Sequence, residues 1–138
     1  VALAITDMVV RGAPAIGAAA AFGLALAGYE SASTSTEDLL ADLGAAAAVL
    51  KASRPTAVNL AWAVDRLMNA ARSVNSSVDD LRNAVLLEAQ KLADEDVEIN
   101  KRMAEHGAAL INDAIATSPP ATRTSATDIA NHLATLAP

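Results

Sequence analysis

Two arginines in this chain stand directly ahead of prolines that can open a helix. Arg11 lies in Val9-Val10-Arg11-Gly12-Ala13-Pro14-Ala15-Ile16-Gly17, and Arg54 in Ser53-Arg54-Pro55-Thr56-Ala57-Val58-Asn59. The first turn of a helix leaves backbone N–H groups without intrahelical acceptors, and a Ser, Thr, Asp or Asn at the cap ordinarily takes one of them. Pro14 disfavours helical geometry at Ala13 and itself suits the first helical position, which puts the cap at Ala13. Neither Ala13 nor Gly12 offers a side-chain oxygen. Bare N–H groups at the positive end of a helix dipole attract anions, and the donor fork of Arg11 matches phosphate oxygens. Arg54 ahead of Pro55 repeats the arrangement at a second expected helix start. There Ser53 or Thr56 can act as cap, and Asn59, one turn in, can orient a neighbouring loop. The plainer alternative for both is a solvated arginine beside an ordinary turn. Two such starts in one small chain move the reading towards a shared anion site.

Other chemistry is thinly represented. The chain has no cysteine, which excludes disulfides, thiolate metal sites and a cysteine nucleophile. His106 sits on a polar helix face and reads as solvated, and His132 falls in an irregular tail. Asp94-Glu95-Asp96 supplies carboxylates, but adjacent helical positions do not converge on a metal, so the run reads as a solvated face. Trp62 and Phe22 read as core. No phosphate-cradling GxGxxG or GxxxxGK[ST] occurs.

The elements that must position the arginines are helices. Hydrophobic residues make up 53% of the 138, yet aromatics only 2%, and alanine supplies much of the apolar content. That favours close-packed helices over strands. Apolar spacing predicts a helix end within residues 1–10 turning extended at Met8–Val10, then helices from Pro14 to about Gly28, after a Ser35 cap to about Leu50, from Pro55 to about Ser73, and, after a Ser77 cap with Asp80 three residues on, from Val78 to about Ile115. Asp94–Asp96 is a candidate bend in the last of these. No span reads as a confident strand. The uncharged run from Gly12 to Tyr29 is long enough to raise a membrane span, but its alanines and glycines suit a buried central helix. A net charge of −6 gives no electrostatic case for nucleic-acid binding. The chain opens on Val1-Ala2-Leu3 without a basic region, which reads as an interior piece of a longer protein and not as a signal peptide.

Ile5-Thr6-Asp7-Met8-Val9-Val10-Arg11-Gly12-Ala13-Pro14-Ala15-Ile16-Gly17 resembles the signature of the methylthioribose-1-phosphate isomerase family. Arg54-Pro55-Thr56-Ala57-Val58-Asn59-Leu60-Ala61-Trp62-Ala63 looks like that family's second signature, and Glu95 to Asn100 with Glu105 to Ala108 is similar to a third stretch. The likeness runs over residues 1–113 in order. It implies aldose–ketose isomerisation of a sugar 1-phosphate in methionine salvage, by a cytoplasmic homodimer needing no metal or nucleotide. It also implies that Arg11, Gly12 and Ala13 hold the substrate, with Arg54 as a second contact. Because the substrate's C1 is locked as a phosphate ester, free ring opening is closed to it. The enzyme must then grip the phosphate while protons or a hydride move between C1 and C2.

The departures from the family pattern are large. Its members continue into a Thr-His-Cys-Asn motif whose cysteine helps the chemistry, then an α/β domain carrying a general-acid aspartate, so the expected catalytic residues are not in this chain. The expected fold is all-α or mainly α, the helical amino-terminal domain of a two-domain isomerase without its α/β domain. Residues 1–115 form that domain, incomplete at its start. The Ser/Thr/Pro-rich residues 116–138 form a divergent tail, out of frame or disordered. Ribose-1,5-bisphosphate isomerase and a regulatory or scaffolding relative, such as the regulatory subunits of the translation-initiation exchange factor, are the alternatives.

Overall fold

The computed structural model describes residues 1–117. Every regular element among them is a helix: α1 (Ala2–Thr6), α2 (Ala13–Glu30), α3 (Thr36–Ser53), α4 (Val58–Arg72) and α5 (Val78–Thr117). This is the all-α architecture expected from the alanine-rich, aromatic-poor composition. The described residues divide between two units, Val1–Val97 and a second that begins at Glu98.

In the first unit α2 packs on α3 and α4, α3 packs on α4, and α1 lies against α2 and α3. Leu24, Leu39, Leu43, Leu60, Val64, Leu67, Leu81 and Val85 are fully buried, and no polar or charged residue is buried among the described residues. By length and composition α2 would pass for a membrane span. Its Ile16, Ala20, Ala21, Leu24 and Ala25 instead enter the core shared with α3 and α4, as a central helix should. The backbone of α2 meets α4 closely at Gly17, where an added Cβ would stand 3.1 Å from the Asn59 carbonyl oxygen.

Local signals account for two of the helix starts. Ser35 Oγ accepts from the Asp38 N–H at 3.1 Å, and Ser77 Oγ accepts from the Asp80 N–H at 3.0 Å. Both serines are the expected caps, and hydrogen bonds from Ser77 and Ser76 hold the Asp80 carboxyl below its ordinary range. The carboxyl end of α2 is closed by Arg82 of α5, whose Nε donates to the Gly28 carbonyl and whose second guanidinium nitrogen donates to that of Ser31, each at 2.9 Å. The stretch after α1 differs from expectation. Residues 7–10 turn instead of running extended, because Met8 adopts φ 56° and the Val10 N–H donates back to the Ala4 carbonyl at 3.0 Å.

Two readings of side chains are also corrected. Phe22 and Trp62 are 41% and 55% exposed, so neither is core. The guanidinium of Arg66 lies 5.4 Å from the centroid of the exposed Trp62 ring, within cation–π range. Asp94-Glu95-Asp96 is not simply a solvated face either. Glu95 pairs in bidentate fashion with Arg66, at 2.6 and 3.0 Å, and Glu88 takes Arg66 Nε at 2.6 Å. Nor does that run interrupt α5, whose helical assignment passes through it.

This pairing sets an acid-dependent term in stability. Hydrogen bonding to Arg66 is the largest influence holding the Glu95 carboxyl below its ordinary range. A carboxyl depressed in the folded state stabilises the fold above its unfolded pKa of about 4.3 and loses that contribution as pH falls through the folded value. Arg66→Ala should therefore lower the urea midpoint clearly at pH 7 and less at pH 3. Equal losses at the two pH values would show that ionisation of Glu95 contributes nothing to stability through Arg66.

In the second unit, residues 98–117 belong to α5. Ile99, Met103, Leu110 and Ile111 are exposed, His106 is exposed as expected, and Lys101 pairs with Glu98 at 2.7 Å. Residues 118–138, which hold most of the tail and His132, lie outside the described residues.

Candidate anion site

The amino end of α2 is uncapped by any side chain, and its first turn carries no acidic residue. The cap is Gly12, not Ala13. Gly12 holds φ 92°, a conformation that glycine adopts without a Cβ penalty, and its carbonyl accepts the Ile16 N–H at 2.9 Å. Ala13 is therefore the first helical residue and Pro14, which has no N–H, the second. That leaves the N–H groups of Ala13 and Ala15 facing the open end of the helix.

The second start differs more from the sequence reading. Pro55 does not open α4. It ends α3, because a residue preceding proline is pushed from the helical region, and Arg54 sits at the α3 C-cap with φ −155° and ψ 81°. A turn follows, closed by the Ala57 N–H donating to the Arg54 carbonyl at 3.0 Å, with Pro55 at the position such turns favour. Helix α4 begins at Val58 after the cap residue Ala57, again with no side-chain capping bond and no acid in the first turn. Ser53 is spent elsewhere, its hydroxyl donating to the Leu50 carbonyl at 2.6 Å. The Leu60 and Ala61 N–H groups return to Ala57, leaving those of Val58 and Asn59 as the open donors.

The two bare starts meet. Gly12, Ala13 and Ile16 from α2 line one pocket of ≈ 390 Å³ together with Arg54, Thr56, Ala57, Val58 and Asn59. Its size falls in the range of small-molecule sites. Arg54 is half-buried there, and its guanidinium makes no hydrogen bond or ion pair with another described residue. Arg66 and Arg82, by contrast, are fully engaged with carboxylates and carbonyls. An unengaged arginine beside two uncapped helix starts, in a chain of net charge −6, is a local concentration of donors with nothing anionic of its own to satisfy them. Arg11 is exposed and adjoins Gly12 in sequence, but it is not in the pocket lining.

Thr56, Ala57 and Val58 were not singled out as site residues from sequence. The proline that ends α3, not one that opens α4, brings them to the pocket. Among the described residues no group of three His, Asp or Glu side chains could hold a metal. A second pocket, of ≈ 260 Å³, is lined by Leu26, Val49 and Leu50 with Glu30 as its charged residue, which does not suit an anion.

The model of the initiation factor 2 subunit family matches residues 9–136, a span that takes in both arginine–proline segments. The chain belongs to that family. Members similar to it include the methylthioribose-1-phosphate isomerase of a Synechococcus strain, 54% identical over 80% of this chain and 32% of that one. The crystal structure of 5-methylthioribose 1-phosphate isomerase from Pyrococcus horikoshii superposes with a TM-score of 0.75 at 47% identity, over 78% of this chain and 30% of the other. A structure of the translation initiation factor eIF-2B, subunit delta, from A. fulgidus gives 0.74 at 47% identity, covering 79% and 32%. The chain thus spans about a third of the length of these family members, and the shared part is its helical first unit together with part of the residues that follow.

Proposed function

We propose that this chain carries the phosphate-holding part of a sugar 1-phosphate isomerase of the methylthioribose-1-phosphate type. The observation that supports the reading is the convergence of two uncapped helix starts and the unengaged Arg54 on one pocket. A phosphate ester there would accept from the open N–H groups of α2 and α4 and from the Arg54 fork, with Arg11 adding charge from just outside the lining. In an isomerisation between C1 and C2 the ester stays on C1 throughout. A firm grip on it fixes the position of both reacting carbons, and that orientation is what these residues contribute. By the same reading the working form is a cytoplasmic homodimer, and the groups that move the protons are not among these residues.

The 138-residue chain should accordingly bind methylthioribose 1-phosphate without converting it. Calorimetric titration should show binding that weakens as ionic strength rises, since the site is open to screening, and no ketose should form on prolonged incubation. Absence of binding at low salt would overturn the assignment, and turnover would overturn its restriction to binding. The likeness to the eIF-2B delta subunit favours a second reading, a regulatory relative whose pocket has no sugar phosphate to hold. Under that reading the same titration is silent.

A further inference from the structure

We propose that the side-chain amide of Asn59 reads the hydroxyl next to the phosphate-bearing carbon of the sugar phosphate, making Asn59 a specificity-determining residue of the pocket. This rests on the anion-site reading above. Asn59 is half-buried and lines the pocket beside Arg54. Asparagine near a helix start ordinarily serves the backbone, but the α4 cap is Ala57, and the Asn59 side chain makes no hydrogen bond with another described residue. No described side-chain polar atom is both buried and unpartnered, so this amide meets water when the pocket is empty, and its two donors and one acceptor can be taken over by a ligand hydroxyl.

The backbone at Asn59 is nevertheless held against α2. Its carbonyl packs against α2 at Gly17, so that a Cβ on Gly17 would stand 3.1 Å away. The division of labour follows from hydrogen-bond type. Phosphate oxygens only accept, and the guanidinium and free N–H groups only donate, so those pair with each other. A sugar hydroxyl both donates and accepts, as the amide does. Thr56, the other lining residue with a polar side chain and no charge, is exposed where Asn59 is half-buried.

Calorimetric titration of the chain with ribose 1-phosphate, 2-deoxyribose 1-phosphate and inorganic phosphate tests this. The wild type should prefer ribose 1-phosphate to its deoxy analogue. Asn59→Ala should weaken ribose 1-phosphate binding by about three- to tenfold, the range of one neutral hydrogen bond, abolish that preference and leave inorganic phosphate unchanged. Asn59→Leu, which keeps the side-chain volume, should do the same and guards against a packing defect, with melting curves recorded for both. Retention of the preference in both variants overturns the proposal. Equal binding of all three ligands by the wild type removes Asn59 from the reading while leaving the anion site standing. Failure of the wild type to bind any of the three removes both.

Discussion

Arg54→Gln should weaken binding of a sugar 1-phosphate by about 10- to 100-fold, because hydrogen bonds to a charged partner contribute about 1.5–3 kcal/mol each. The effect should appear in affinity and not in folding. Arg54 has no ion-pair partner among the described residues, so what its loss costs the fold is its place at the carboxyl end of α3, where a cation contributes about 0.3–1 kcal/mol. Arg54→Lys should fall between wild type and Gln, keeping the charge and losing the planar fork. Arg11→Gln should cost less than Arg54→Gln, since Arg11 stands outside the pocket lining. Titration calorimetry with methylthioribose 1-phosphate measures all three. An affinity for Arg54→Gln equal to wild type would show that the pocket does not use its unengaged guanidinium.

That contrast between the arginines separates what sequence can show from what packing must supply. The bare cap of α2 was readable, since Arg11-Gly12-Ala13-Pro14 contains no side-chain acceptor, although the cap fell one residue earlier than the proline suggested. Glycine's tolerance of φ 92° moved it, an effect of conformation that residue type permits but does not demand. The α4 start was misread for a related reason. A proline can open a helix or close the one before it, and here Lys51, Ala52 and Ser53 continue α3 up to Arg54. The two segments still come together, because the turn over residues 54–57 carries Thr56 and the α4 cap to the pocket that Gly12 and Ala13 line, although Arg11 is not part of that lining.

The helices themselves were legible because alanine-rich periodic segments have few competing folds. Ser35 and Ser77 announced their caps, and both bonds form. Long-range partnerships were not legible. Nothing local links Arg66 to Glu88 and Glu95, or Arg82 to the carbonyls of Gly28 and Ser31. Those pairings depend on which faces of α2, α4 and α5 come together. By its spacing Trp62 fits the apolar stripe of α4, which points to the core. It lies instead at the edge of that stripe, where Arg66 can cover it.

Gly17→Leu should have the largest effect on the fold and should disable the site with it. Gly17 is buried in α2, where glycine costs about 0.5–1 kcal/mol relative to alanine in helix propensity. Its retention at that cost is explained by the approach of α4: an added Cβ would lie 3.1 Å from the Asn59 carbonyl oxygen and 3.7 Å from the Ala63 Cβ. The first of these is a backbone atom on a packed helix and cannot rotate aside. Gly17→Ala therefore sets a propensity gain against a shift of a few tenths of an ångström and should be near neutral. Leucine has no such balance, and overpacking of this kind costs about 1–3 kcal/mol or more. Thermal unfolding followed by circular dichroism should show Gly17→Leu melting on the order of 10 °C below wild type. Where the variant remains folded, α4 must move away from α2, which separates Gly12 and Ala13 from Arg54 and Asn59 and should lower phosphate-ester affinity as well. A Gly17→Leu chain that melts with the wild type and binds equally well would show that the α2–α4 contact neither limits the fold nor sets the spacing of the two helix starts.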